Sequence, residues 1–146
     1  MAVVRISDLP TATLPLVGTE IAEIEQSSAS ARCTIADIRA IPQNSQSAAY
    51  TLVLADAGRH ILHPSADTTA RTWTIPANAS VAFPIGIAVT FVNQNAAGVI
   101  TIAITTDTMR LAGAGTTGSR TLAANGIATA LKITATEWLI SGTGLT

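Results

Sequence analysis

Arg71-Thr-Trp-Thr-Ile75 is followed by Pro76-Ala-Asn78 and, a few residues later, by Ile87-Ala-Val-Thr-Phe-Val92. The first stretch alternates cleanly, with Trp73 and Ile75 on one side of an extended chain and Thr72 and Thr74 on the other. A period of two is the mark of a strand with one buried face. Pro76 has no N–H for a ladder and holds the preceding residue extended, so the strand ends there in a turn. Ile87–Val92 is rich in β-branched and aromatic residues and is closed by Asn93-Gln-Asn95 and Gly98.

The same reading extends in both directions. Tyr50-Thr-Leu-Val-Leu54 reads as a strand, and Asp56-Ala-Gly58 after it reads as a hairpin turn in which Gly58 takes positive φ. Arg59, Ile61 and Leu62 continue as a short strand that Pro64 stops. Val99–Ile104 puts Ile100, Ile102 and Ile104 on one face, Met109–Leu111 is short, and Gly113–Gly118 is a loop. Ile127–Thr134 and Glu137–Ser141 form a last pair around Ala135-Thr136. Short strands with turn signals about every 8–12 residues predict a mostly-β fold, an antiparallel β-sandwich or jelly-roll-like barrel. Trp73, Phe83, Phe91 and Trp138 are its expected core anchors.

Upstream the pattern changes. Residues 1–41 read as an extended N-terminal arm, 42–48 as a polar linker headed by Pro42, and 49–146 as the β-domain. Pro10 and Pro15 prevent one continuous helix in the arm. Glu20–Gln26 reads as a strand, Ser27–Ser30 as a turn and Arg32–Thr34 as its hairpin partner. Thr34-Ile-Ala-Asp37 fits a helix N-cap, predicting one short helix over Ile35–Ala40.

The 146 residues are 48% hydrophobic and only 12% charged, with a net charge of −1 and mean hydropathy of +0.43. An average soluble domain carries roughly 25% charged residues. So little charge predicts a surface covered in part by Thr, Ser, Asn and Gly and in part buried against other subunits. Lys132 is the single lysine and there is no basic stripe, so nucleic acid is not an expected partner. No apolar run approaches the ~20 residues of a membrane helix, so no membrane is expected either. The beginning, MAVVRISDLP, lacks the apolar stretch of a signal peptide, and Cys33 is the only cysteine. Both fit synthesis in a reducing cytoplasm.

Several residue groups carry the letters of a site without its spacing. His60 and His63 are three apart on a strand and therefore point to opposite faces, so they are not expected to share a metal, although an oligomer axis could gather one His per subunit. His63, Ser65 and Asp67 sit within one Pro-containing loop, whereas a triad is assembled from separate elements. Glu20, Glu23 and Glu25 lack the spacing of a calcium loop and read as a solvated or contact face. Gly113-Ala-Gly-Thr-Thr-Gly118 lacks the Gly-Lys-Ser/Thr of a phosphate loop. Cys33 reads as a small packing residue. No catalytic residue, metal ligand or cofactor is therefore expected, and the chain does not read as an enzyme.

Five fragments stand in a recognisable order: Tyr50–Gly58, Thr74–Pro84, Ile85–Asn93, Ala97–Ala103 and Trp138–Gly142. In order and spacing they resemble a β-domain that recurs in virion proteins of tailed bacteriophages, among them head-decoration, tail-fibre and spike proteins. Ile6–Pro10, Gly18–Glu20 and Thr34–Ile38 likewise resemble N-terminal segments that attach such proteins to the particle. The resemblance implies a virion structural protein, a homo-oligomer of the trimeric kind, and the major capsid protein or another virion protein as partner. After Gly142-Thr-Gly-Leu-Thr146 no shaft or receptor-binding segment follows in this sequence. The expectation is therefore a compact capsid decoration (cement) protein, with a short tail-fibre, collar or tail adaptor protein as the alternative. A carbohydrate-binding module is a further alternative, which 3% aromatic content and strand-buried tryptophans disfavour.

Overall fold

The structure is a computed structural model that describes residues 21–26, 29–94 and 96–146, and side chains from Cys33 onward apart from Asp37 and Asn95. The expected particle-contact motifs Ile6–Pro10 and Gly18–Glu20, the turn serines Ser27 and Ser28, and the carboxylates of Glu20, Glu23 and Glu25 lie outside the described residues. The chain divides into two compact units, 1–40 and 41–146.

In the first unit β1 (Ile21–Gln26) pairs antiparallel with β2 (Ala29–Thr34), Ile21 opposite Thr34 and Gln26 opposite Ala29. This is the hairpin expected from the sequence. The short helix α1 (Ile35–Arg39) follows, one residue shorter than the Thr34 cap pattern suggests.

The second unit is one nine-stranded sheet, curled into a half-barrel. Its strands are β3 (Gln43–Ser45), β4 (Tyr50–Thr51), β5 (His60–His63), β6 (Arg71–Ile75), β7 (Ala88–Asn93), β8 (Ile100–Ile104), β9 (Thr108–Leu111), β10 (Arg120–Thr134) and β11 (Glu137–Leu145). The mostly-β architecture agrees with the sequence reading, but the strand pairing does not run antiparallel throughout. β3, β5 and β7 lie side by side in parallel, and so do β4, β6 and β8. Successive strands alternate between these two wings, and the chain returns to the same wing after each circuit, still running the same way. Parallel neighbours are the geometric result.

This corrects the reading of Asp56-Ala-Gly58. Gly58 does take φ +76°, but the turn ends a 3-10 helix over Leu54–Asp56 and forms a corner between wings, not a hairpin. The segment expected to be a strand up to Leu54 is shorter for the same reason. The segment read as a polar linker, 42–48, contains β3, which adds to the edge of β5.

β10 joins the wings. Its Ile127–Leu131 stretch pairs antiparallel with β7, while Arg120–Leu122 pairs antiparallel with β8. Between these stretches the β11 register shifts, and Asn125 takes φ +62°. Buried Gly126 lies so close to Leu122 and Ala123 that a Cβ there would collide with both. A strand bends sharply where such a bulge breaks its ladder. β11 then pairs antiparallel with β10 and parallel with β9.

The core fills the space between the wings. Ile61 and Phe91 from one wing, Trp73, Ile75, Ile100 and Ile102 from the other, and Leu122, Trp138 and Ile140 from β10 and β11 belong to one buried cluster. Trp73 meets Phe91 across it at 6.2 Å, and Phe83 packs edge-on against Trp138 at 5.5 Å. All four expected aromatic anchors are buried. Burying a large apolar side chain contributes roughly 1.5–3 kcal/mol, so these rings dominate the cohesion of the unit.

Candidate functional site

Alternation that points Ile61, Phe91 and Ala128 inward must point their neighbours outward. Across β5, β7, β10 and β11 the register places Leu62 beside Val92, Val92 beside Ile127, Ala88 beside Leu131, and Leu131 beside Leu139. Between the apolar rows runs a hydroxyl row, in which Thr90 and Thr129 share a hydrogen bond of 3.0 Å. An antiparallel sheet with one face on the core ordinarily presents polar residues on the other. Here Ile127 is 49% exposed, Leu131 38% and Ile133 37%. From β5 to β10 the outward residues include no Asp, Glu, Lys or Arg. The Arg110–Glu137 ion pair, at 2.7 Å, borders the face, with Arg110 beside Leu139 on β9 and Glu137 two residues before Leu139 on β11. The face is thus suited to excluding water against another surface.

The inward face holds polar groups as well. His63 is buried on β5, with its ring edge-on to Trp73 at 5.9 Å. Its Nδ1 lies 2.9 Å from Asn93 Oδ1 and 3.1 Å from the Gly98 carbonyl, and its Nε2 lies 3.0 Å from Asp67 Oδ2. Arg71 clamps the same carboxylate through Nε and Nη2 at 2.8 and 3.1 Å. The Arg71 guanidinium first, and the His63 ring second, hold the Asp67 carboxyl well below the usual carboxylate range. Asn93 completes the cluster by donating to the Gly98 and Leu122 carbonyls.

The solvated-loop reading of His63, Ser65 and Asp67 is therefore only partly right, because His63 and Asp67 are paired. Ser65 is exposed, and its backbone N–H donates to Gln94 Oε1. Both nitrogens of His63 already face acceptors, whereas a triad leaves one for the nucleophile. The cluster ties the Pro64–Ala70 loop to β7 and β10. His60 lies on the outer side of the same strand, 3.0 Å from Gln43 Nε2, so the two histidines point to opposite faces.

A second cluster stands at the β3 edge. Asp56 accepts from Asn44 Nδ2 at 2.8 Å, from the Tyr50 hydroxyl at 2.7 Å and from the Val53 N–H at 2.9 Å. Burial, reinforced by the Asp56 contact, pushes the Tyr50 hydroxyl above its ordinary range. A third cluster joins Lys132, Asn78 and Asp107 under the Trp138 ring. Among the described residues no group of three or more His, Cys, Asp or Glu side chains could hold a metal ion. The glycine-rich loop Gly113–Gly118 closes on itself, with Leu111 N–H donating to Thr116 O at 2.8 Å and Gly118 N–H to Met109 O at 3.0 Å. Cys33 is half-buried on β2.

Comparison with family models, curated proteins and solved structures finds no match to this chain.

The sequence reading overlooked Asn44, Asp56, Asn93 and the Lys132 cluster. For Lys132 a signal was present. It follows Ala128 and Ala130 at steps of two, on the parity that faces the core.

Proposed function

We propose that this protein is a non-catalytic structural component of a tailed-bacteriophage particle that works by self-assembly, decorating and stabilising the capsid as a homotrimer. The observation that carries the assembly reading is the outer face of β10, where exposed Ile127 stands beside Val92 of β7, exposed Leu131 stands between Ala88 of β7 and Leu139 of β11, and exposed Ile133 follows on the same strand. Its occupant is another copy of the chain. From β5 to β10 this face carries no Asp, Glu, Lys or Arg, so it complements a surface of the same composition, and stable subunit contacts are cores cut in half. The particle and the trimer come from the resemblance of Tyr50–Gly58, Thr74–Asn93, Ala97–Ala103 and Trp138–Gly142 to phage virion domains. The major capsid protein is the proposed lattice partner. The carbohydrate-binding alternative is disfavoured by the complete burial of Trp73 and Trp138.

Quantification of the protein in purified particles tests the assignment. Copies in proportion to the capsomers support decoration. Copies in a small multiple matching the tail axis support a short fibre, collar or adaptor instead. Absence from particles refutes both.

A further inference from the structure

The chain's single lysine lies inside the protein. Lys132 is 1% exposed, carried into the core by the alternation of β10. Its Nζ stands 2.8 Å from Asn78 Oδ1 and 5.2 Å from the centre of the Trp138 ring. Asp107, 9% exposed, accepts a hydrogen bond of 3.0 Å from the Asn78 backbone N–H. The amine of β10 thus meets the carboxamide of the turn after β6 beside an apolar ring, and a carboxylate from the β8–β9 connection is held on the backbone of the same Asn78. The main chain on both sides is fixed. The Lys132 N–H donates to Ile87 O at 2.9 Å and the Gly86 N–H to Lys132 O at 2.8 Å, while Ser80 and Val81 both donate to Ala77 O.

From this arrangement we propose that Lys132 and Asn78 join in an intramolecular isopeptide bond, formed by the folded chain itself with Asp107 relaying the proton. The neutral Nζ attacks Asn78 Cγ, forming the C–N bond and placing negative charge on Oδ1. Asp107 takes a proton from the attacking nitrogen and delivers one to Nδ2. The carbonyl reforms as the Cγ–Nδ2 bond breaks, its electron pair leaves with the nitrogen, and ammonia departs. The carboxylate is regenerated, and no oxidant, reductant or cofactor enters the balance. Burial favours the neutral amine, pushing Lys132 below the ordinary lysine range, while the charge of Asp107 acts in the opposite direction. The apolar surroundings also keep out the water that would compete for the carbonyl. The product links positions 54 apart in sequence, fastening the turn after β6 to β10. The inference stands independently of where the protein assembles.

Intact-mass spectrometry of the purified full-length chain, with tandem sequencing of its tryptic peptides, tests it. The expected mass is lower than the sequence mass by one ammonia. The expected digest contains a branched peptide joining Asn78 to Lys132, with no cleavage after Lys132. Lys132→Arg and Asn78→Ala should restore the mass calculated from their sequences, and folded Asp107→Asn should accumulate the bond more slowly than wild type. A wild-type chain at full mass after prolonged incubation overturns the proposal. So does an ammonia loss that maps to a succinimide at Asn125-Gly126 without a branched peptide. An unchanged rate in Asp107→Asn overturns the role given to Asp107.

Discussion

Asn93→Ala is the substitution whose cost follows most directly from the geometry. Asn93 is 1% exposed, and its side chain makes three hydrogen bonds: Nδ2 to the Gly98 carbonyl at 3.0 Å, Nδ2 to the Leu122 carbonyl at 3.1 Å, and Oδ1 to His63 Nδ1 at 2.9 Å. Each buried hydrogen bond contributes about 1 kcal/mol net, and a partner left without replacement costs more. His63 Nδ1 and the Gly98 carbonyl remain 3.1 Å apart and can satisfy each other, so only the Leu122 carbonyl loses this partner without an evident substitute. The expected loss is about 3 kcal/mol. For a domain of this size that lowers Tm by roughly 10–20 °C. Thermal unfolding followed by near-ultraviolet circular dichroism, at one fixed protein concentration, reads the shift and separates it from changes in assembly. A loss below about 1 kcal/mol, the size of one ordinary hydrogen bond, would refute the view that Asn93 ties the loop to β7 and β10.

Three further outcomes follow from the same structure. The Asp67 carboxyl is held below its unfolded value, so its contribution is present above about pH 3.9 and fades as pH falls through the lower folded value. Asp67→Asn should therefore be less stable than wild type at neutral pH, and the gap should narrow in acid, as urea unfolding across pH will show. Ile127→Glu combined with Leu131→Glu should shift the sedimentation profile to monomer while changing the monomer's far-ultraviolet circular dichroism little, because both side chains point away from the core. A chain reduced to residues 41–146 should retain a cooperative unfolding transition by calorimetry, since that unit holds the whole buried cluster.

Strands with strict alternation were readable from sequence because burial on one face leaves a local record. Arg71–Ile75 matches its strand bounds, and Trp73, Phe83, Phe91 and Trp138 are buried as their patterns suggested. Pairing direction leaves no such record. A turn such as Asp56-Ala-Gly58 looks alike whether it joins neighbours or rounds a corner between wings, and only long-range register distinguishes the two. β3 was hidden because Gln43-Asn-Ser45 is polar. It is a strand through the β5 edge and the inward bond from Asn44 to Asp56. The first part of β10 was hidden behind the bend at Asn125-Gly126, which interrupts the alternation. Of the His63 cluster, the sequence reading singled out only His63 and Asp67 as candidate site residues. The partners on the other ring nitrogen of His63, Asn93 and Gly98, lie some thirty residues away, which spacing alone cannot supply.

Other copies of the chain are the proposed cover of the outer face of β10. Sedimentation equilibrium of the purified full-length protein over a wide concentration range tests this most directly. The expected result is a trimer that dissociates when Ile127 and Leu131 are both replaced by Glu. A wild-type chain that remains monomeric at every concentration would contradict it.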